Sequence, residues 1–255
     1  AAGNAREMRP AFEHFRGIRP VYALDLPGFG LSDRSDRAYT PRLMTDALHA
    51  TVRQIQARCG PGPVDVLGVS LGCEFVARAA MEQPAHFRRL ALVSPTGFNG
   101  SKRWRGEPGS TRQVPGMLTA LRGPGKAWGG GLFRALTRPG VIRYFLRRTY
   151  GGPQIDEDLW RYAVLTTRQP GAENAPLCFL SGAMFSADIQ TVYEQLKLPV
   201  WMSHGVRGDF TDYRGKSSVQ ALPNWRITVF QTGAMPYFEV PREFTAAYDG
   251  FLAGA

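Results

Sequence analysis

The sequence contains no apolar run approaching the roughly 18 residues that a membrane-spanning helix needs, so helical spans are not expected. Its N-terminus, Ala1 to Met8, lacks the apolar core of a secretory signal. The three cysteines, Cys59, Cys73 and Cys178, leave one unpaired and have no zinc-like spacing. That excludes a disulfide framework and a thiolate metal site, and predicts reduced thiols in a cytoplasmic setting. There is no internal repeat and no recognisable nucleic-acid-binding module. Acidic residues are scarce between Phe98 and Pro170. Lys102, Arg103, Arg105, Arg112, Arg122, Lys126, Arg134, Arg138, Arg143, Arg147, Arg148, Arg161 and Arg168 face only Glu107, Asp156, Glu157 and Asp158, so this segment carries nine of the ten net positive charges. Such a surface suits an anionic partner, or is a solvated arginine-rich lid.

What is present is an ordinary globular composition, 44% hydrophobic and 20% charged over 255 residues, enough for a sizeable core. Asn4 to Gly17 reads as a short amphipathic helix. Val21 to Asp25 reads as a buried strand, followed by a turn-rich loop. Thr40 and Pro41 supply an N-cap and a first-turn proline for a long helix that Gly60 closes. Val64 to Gly68, Leu90 to Ser94, Leu198 to Ser203 and Trp225 to Phe230 are further strands. Leu71 to Met81, a helix near Tyr213 to Ala221, and Pro241 to Leu252 supply the helices between and after them. Strands alternating with helices imply a mostly parallel sheet with helices on both faces. The alternation breaks after Ser94, where only Gly131 to Thr137, Val141 to Tyr150 and Asp156 to Thr166 look helical. The domain reading is therefore a core of residues 1–94 and 197–255 with an inserted cap at 95–196.

Gly68-Val69-Ser70-Leu71-Gly72 lies between an apolar run and a helix-forming run. A G-x-S-x-G turn there would present Ser70 on a tight strand-to-helix corner, with side chains at Gly68 or Gly72 expected to collide with neighbouring backbone.

Three motifs in this order resemble the α/β-hydrolase superfamily over essentially the whole chain. Asp25-Leu-Pro-Gly-Phe-Gly-Leu-Ser32 resembles its D-x-P-G-x-G-x-S loop, and Gly68 to Gly72 its nucleophile elbow. His204-Gly-Val-Arg-Gly-Asp209 is similar to the loop that delivers the triad acid. The resemblance implies Ser70 as nucleophile, Asp209 as acid with Asp212 as runner-up, and the Leu71 N–H as an oxyanion donor. It also implies an ester, or a related carbonyl, of a small to medium apolar molecule as substrate, with no cofactor and no metal. Trp104, Trp128, Tyr144, Phe145, Trp160 and Tyr237 are candidates to line the pocket, or to pack the cap against the core.

Two departures stand out. The superfamily's G-H-x-P-x-x-E-x-P pattern is matched by Gly233-Ala234-Met235-Pro236-Tyr237-Phe238-Glu239-Val240-Pro241, with alanine at the histidine position. Alanine accepts no proton, and losing the base costs on the order of 10⁶ in turnover in such enzymes. Either a His→Ala change was made to trap a ligand, or the chain has diverged into a binding protein or a catalyst with another base. Hydroxynitrile lyase, perhydrolase and carbon–carbon hydrolase chemistries stay open alongside the esterase. Among the four histidines only His204 stands near the acid loop, with a strand-end structural role as its plainer reading. The second departure is that the superfamily's first strands and second oxyanion loop have no counterpart here, which predicts a preceding segment.

Overall fold

The structure, a computed structural model, describes residues 3–100, 102–123, 127–209 and 211–254. Lys126 of the basic stretch lies outside them.

Four parallel strands, β1 (Val64–Val69), β2 (Phe87–Val93), β3 (Val200–His204) and β4 (Trp225–Val229), form one sheet in the order β1-β2-β3-β4. Before β1 run α1 (Arg9–Phe15), preceded by a 3-10 turn, and α2 (Pro41–Cys59). α3 (Gly72–Glu82) joins β1 to β2. Between β2 and β3 lie α4 (Met117–Arg122), α5 (Ala127–Leu136), α6 (Pro139–Tyr150), α7 (Glu157–Thr166), α8 (Asn174–Leu180) and α9 (Ile189–Gln195). α10 (Ser217–Gln220) precedes β4, and α11 (Pro236–Glu239) and α12 (Pro241–Ala253) close the chain.

Strand side chains alternate between the two faces. On one face Leu90, Leu92, Val200 and Met202 pack with Val76, Ala80, Ile189 and Val219, from α3, α9 and α10. On the other, Ala91, Val93 and Trp201 pack with Phe15, Tyr237, Phe244 and Tyr248, from α1, α11 and α12. Helices therefore cover both faces, and β2 and β3 are the apolar runs that such burial requires. α2 begins as its sequence dictates: the Thr40 side chain accepts a hydrogen bond from the Leu43 N–H, Pro41 sits in the first turn, and Gly60 ends the helix at φ 100°.

Val21 to Asp25 is not a strand. The segment is extended without ladder pairing, and Tyr22 and Leu24 are exposed. The sheet's β1 edge pairs only with β2 among the described residues, so β propensity here meets no ladder. Asp25 instead accepts hydrogen bonds from the backbone N–H groups of Ala5 (2.6 Å) and Leu31 (2.8 Å).

Candidate active site

The carboxyl ends of the parallel strands converge, and the chain leaves β1 through a strained corner. Ser70 has φ 52°, the left-handed region that costs an L-residue about 1–2 kcal/mol. It is exposed, its N–H donates to the Val93 carbonyl (2.9 Å), and its carbonyl accepts from Cys73 N–H (3.1 Å). Leu71 follows as the residue capping α3, so its N–H belongs to the first-turn donors that a helix leaves unpaired internally. A Cβ on Gly68 would lie 3.3 Å from the Cys73 backbone, as the tight turn requires. Gly72 is different: a Cβ there meets nothing within 4 Å, so its side chain would project into open space rather than collide.

β2 ends in a second strained serine. Ser94, at φ 48°, donates its hydroxyl to the Ala234 carbonyl (2.8 Å), and its N–H donates to the Ser203 carbonyl (2.7 Å). The end of β2 thus touches both Ser70 and Ala234. Ala234 is buried, and its N–H donates to the Thr149 carbonyl at the end of α6 (2.9 Å). The Gly233 N–H is held by Glu239 Oε1 (2.7 Å), so the loop around position 234 is fixed on both sides.

Asp209 sits on the loop after β3, exposed, in an open groove of about 520 Å³ with Tyr144, Arg147, Arg148, Gly151, Gly152, Pro153 and Gly208. Arg148 grips it in a bidentate pair, Nε to Oδ2 at 2.6 Å and Nη2 to Oδ1. That guanidinium holds the Asp209 carboxyl below the usual carboxylate range. Asp212 is also taken, by Arg214, which lowers its pKa to about 2.

His204 has both ring nitrogens engaged. Burial pushes its pKa down, Nδ1–H donates to the Gly205 carbonyl (2.8 Å), Nε2 accepts from Lys216 (3.0 Å), and Tyr213 stacks on the ring at 4.1 Å. His14 contacts Asp249 (2.9 Å), His49 contacts Glu82 (3.0 Å), and His86 contacts Gln56 (2.9 Å). All four histidines of the chain are therefore committed elsewhere.

The aromatic candidates do not meet in one cavity. Trp128, Tyr144 and Phe145 face solvent, Tyr144 also lining the Asp209 groove. Trp160 lies under Arg143 and donates its indole N–H to Pro139 (3.0 Å). Trp104 carries the Lys102 ammonium and the Arg112 guanidinium against its ring, 4.2 and 4.1 Å from the centroid, and Tyr237 is fully inside the core.

Sequence reasoning missed the polar group beneath the elbow. Glu74, on α3 and fully buried, accepts from Thr96 Oγ1 (2.6 Å), Arg112 Nη2 (2.8 Å) and the Ser186 N–H (2.8 Å). Burial raises its pKa, and Arg112 opposes that rise. One turn on, Arg78 pairs with buried Asp188 at 2.5 Å. Two charged residues, Glu74 and Arg78, among the small and apolar residues from Gly72 to Met81 were the available signal; the partners of Glu74 lie 22 to 112 residues away.

A model of the alpha/beta hydrolase family matches residues 4–247. The chain belongs to that family. The alpha/beta hydrolase architecture is shared with a serine hydrolase from the polyaromatic-hydrocarbon-degrading bacterium Cycloclasticus zankles, at 15% identity and TM-score 0.73 over 99% of this chain and 86% of that one. An esterase from Exiguobacterium antarcticum gives 14% identity and TM-score 0.71, over 98% and 88%. In sequence, the chain is 38% identical over 86 residues to the 1-acylglycerol-3-phosphate O-acyltransferase ABHD5 of Sus scrofa. That match takes in 31% of this chain and 23% of that protein, so the chain spans less than a quarter of the relative's length. Among the described residues no helix is long and apolar enough to cross a membrane.

Proposed function

We propose that this alpha/beta hydrolase is built for acyl transfer from an ester of a small to medium apolar molecule, with Ser70 as nucleophile, and that Ala234 leaves it inactive or impaired. The observation that carries this reading is the Ser70 backbone: a non-glycine residue held at φ 52° at the end of a parallel strand, side chain exposed. Strain of that kind persists only where the surrounding structure imposes it.

In the reaction, Ser70 Oγ attacks the ester carbonyl while a base takes the hydroxyl proton. The developing oxyanion accepts a hydrogen bond from the Leu71 N–H. The base returns the proton to the departing alkoxide, leaving an acyl-serine that water or another hydroxyl resolves by the same steps in reverse order. Position 234 is where that base belongs, and Asp209 is the acid that would orient it. The 95–196 segment acts as the cap that selects the substrate.

A second reading, a non-catalytic protein that binds a small apolar ligand, draws support from the commitment of all four histidines and from Arg148 on Asp209. Restoring the base separates the two. Ala234→His should bring fluorophosphonate labelling of Ser70 and turnover of activated esters, both abolished by Ser70→Ala. Neither labelling nor turnover from a folded Ala234→His protein would leave the binding reading.

A further inference from the structure

From 108 to 155 the sequence has no acidic residue, yet it has eight basic ones. Forty-eight residues without a carboxylate are unusual in a chain that elsewhere mixes charges. Lys126 lies outside the described residues, and the structure sorts the other seven cations into two groups. Arg112, Arg122, Arg143 and Arg148 reach carboxylates elsewhere in the chain, at Glu74, Asp36, Glu157 and Asp209. Arg134, Arg138 and Arg147 are exposed and form no salt bridge among the described residues; Arg147 uses only its Nε, on the Pro153 carbonyl (3.2 Å).

These three lie on one structural unit. Arg134 is in the last turn of α5, Arg138 caps the start of α6, and Arg147 is in the last turn of α6. α6 buries Ile142 and Tyr150 on one side, and its opposite arc presents Tyr144, 52% exposed, and Phe145, 48% exposed, beside Arg147 and Arg148. The two rings meet edge to face at 5.5 Å, and Arg148 Nη1 donates to the Tyr144 hydroxyl (2.8 Å). α5 adds Trp128, 59% exposed.

We propose that this α5–α6 face docks on an anionic lipid surface. Two of its features match that partner together. Aromatic side chains with one apolar end settle at the boundary between headgroups and acyl chains. Arginines extend past them to lipid phosphates, each adding about 1 kcal/mol near a charged leaflet. A second copy of the chain would bring the same unpaired positive charge to the contact and is disfavoured by repulsion. The surface needs no catalysis, so it stands or falls apart from the assignment of Ser70.

The test is sedimentation of the whole chain with vesicles of phosphatidylcholine, with and without phosphatidylserine, over a range of sodium chloride. Binding should require phosphatidylserine and weaken steadily as salt rises. The combined Arg134→Gln, Arg138→Gln, Arg147→Gln variant should lose about fivefold in partitioning per arginine, on the order of 100-fold together. Tyr144→Ala with Phe145→Ala should weaken binding while leaving its salt dependence in place. Thermal unfolding of each variant separates loss of the surface from loss of the fold. Equal partitioning onto vesicles lacking phosphatidylserine, or anionic binding untouched by the triple variant, overturns the proposal. So does absence of vesicle binding from a protein that polyglutamate or DNA still retains through the same arginines, which would assign the face to a polyanion instead.

Discussion

Ser70 carries a conformation that its own chemistry disfavours. Replacing it with glycine removes the left-handed penalty of about 1–2 kcal/mol and adds back roughly 0.5–1 kcal/mol of backbone entropy. Ser70→Gly should therefore raise stability in urea by about 0.5–1 kcal/mol; a clear loss would mean the corner is not strained. Asp209 makes a second expectation. In the Ala234→His protein, Arg148 would compete with the new imidazole for the acid, so adding Arg148→Ala should speed fluorophosphonate labelling by more than an order of magnitude. Labelling that is unchanged or slower would remove Asp209 from the acid's role. His204 makes a third. Its folded pKa lies below the ordinary value of about 6.5, so on acidification the unfolded chain takes up the proton first. Stability should fall as pH drops through 6.5 towards the folded value, and His204→Gln should flatten that slope in pH-dependent thermal melts.

At the scale of elements, α3 joins the elbow to the rest of the molecule. Breaking a buried pair by removing one partner's charge typically costs 3–5 kcal/mol, because the other charge remains uncompensated. Glu74 has no exposure and the Arg112 side chain has 12%, so Glu74→Gln should destabilise by about 3 kcal/mol in urea denaturation, whereas reversing an exposed pair such as Arg16–Glu13 should cost little. What could be read beforehand follows the range of the forces involved. Local rules located α2, with its Thr40 cap and Gly60 stop, and the strand–turn–helix around Ser70, each within a few residues. They located α5, α6 and α7, but not α4, α8 or α9: α8 carries Pro176 and Cys178, and α4 and α9, at six and seven residues, are too short to show an apolar period. Val21 to Asp25 had the composition of a strand, and among the described residues it meets no neighbour to pair with, which composition cannot supply.

For the whole molecule, the positive charge was visible in the sequence but its division was not. Which arginines are neutralised depends on contacts such as Arg112 with Glu74, 38 residues apart, and Arg148 with Asp209, 61 apart. The aromatics of the 95–196 segment were equally ambiguous, since one residue type serves as core at Tyr150 and as surface at Tyr144. The strand ends, by contrast, follow from connectivity: parallel strands joined by helices must bring their carboxyl ends to one side, and Ser70, Ser94 and Ala234 meet there. One of these long contacts also serves as a clock. The Ser186 amide is donated to a carboxylate on the helix that follows Ser70, so its proton can exchange with solvent only when the segment near α9 parts from α3. Its deuterium uptake would time that separation directly, and Glu74→Gln should make it run fast while amides within β2 keep their pace.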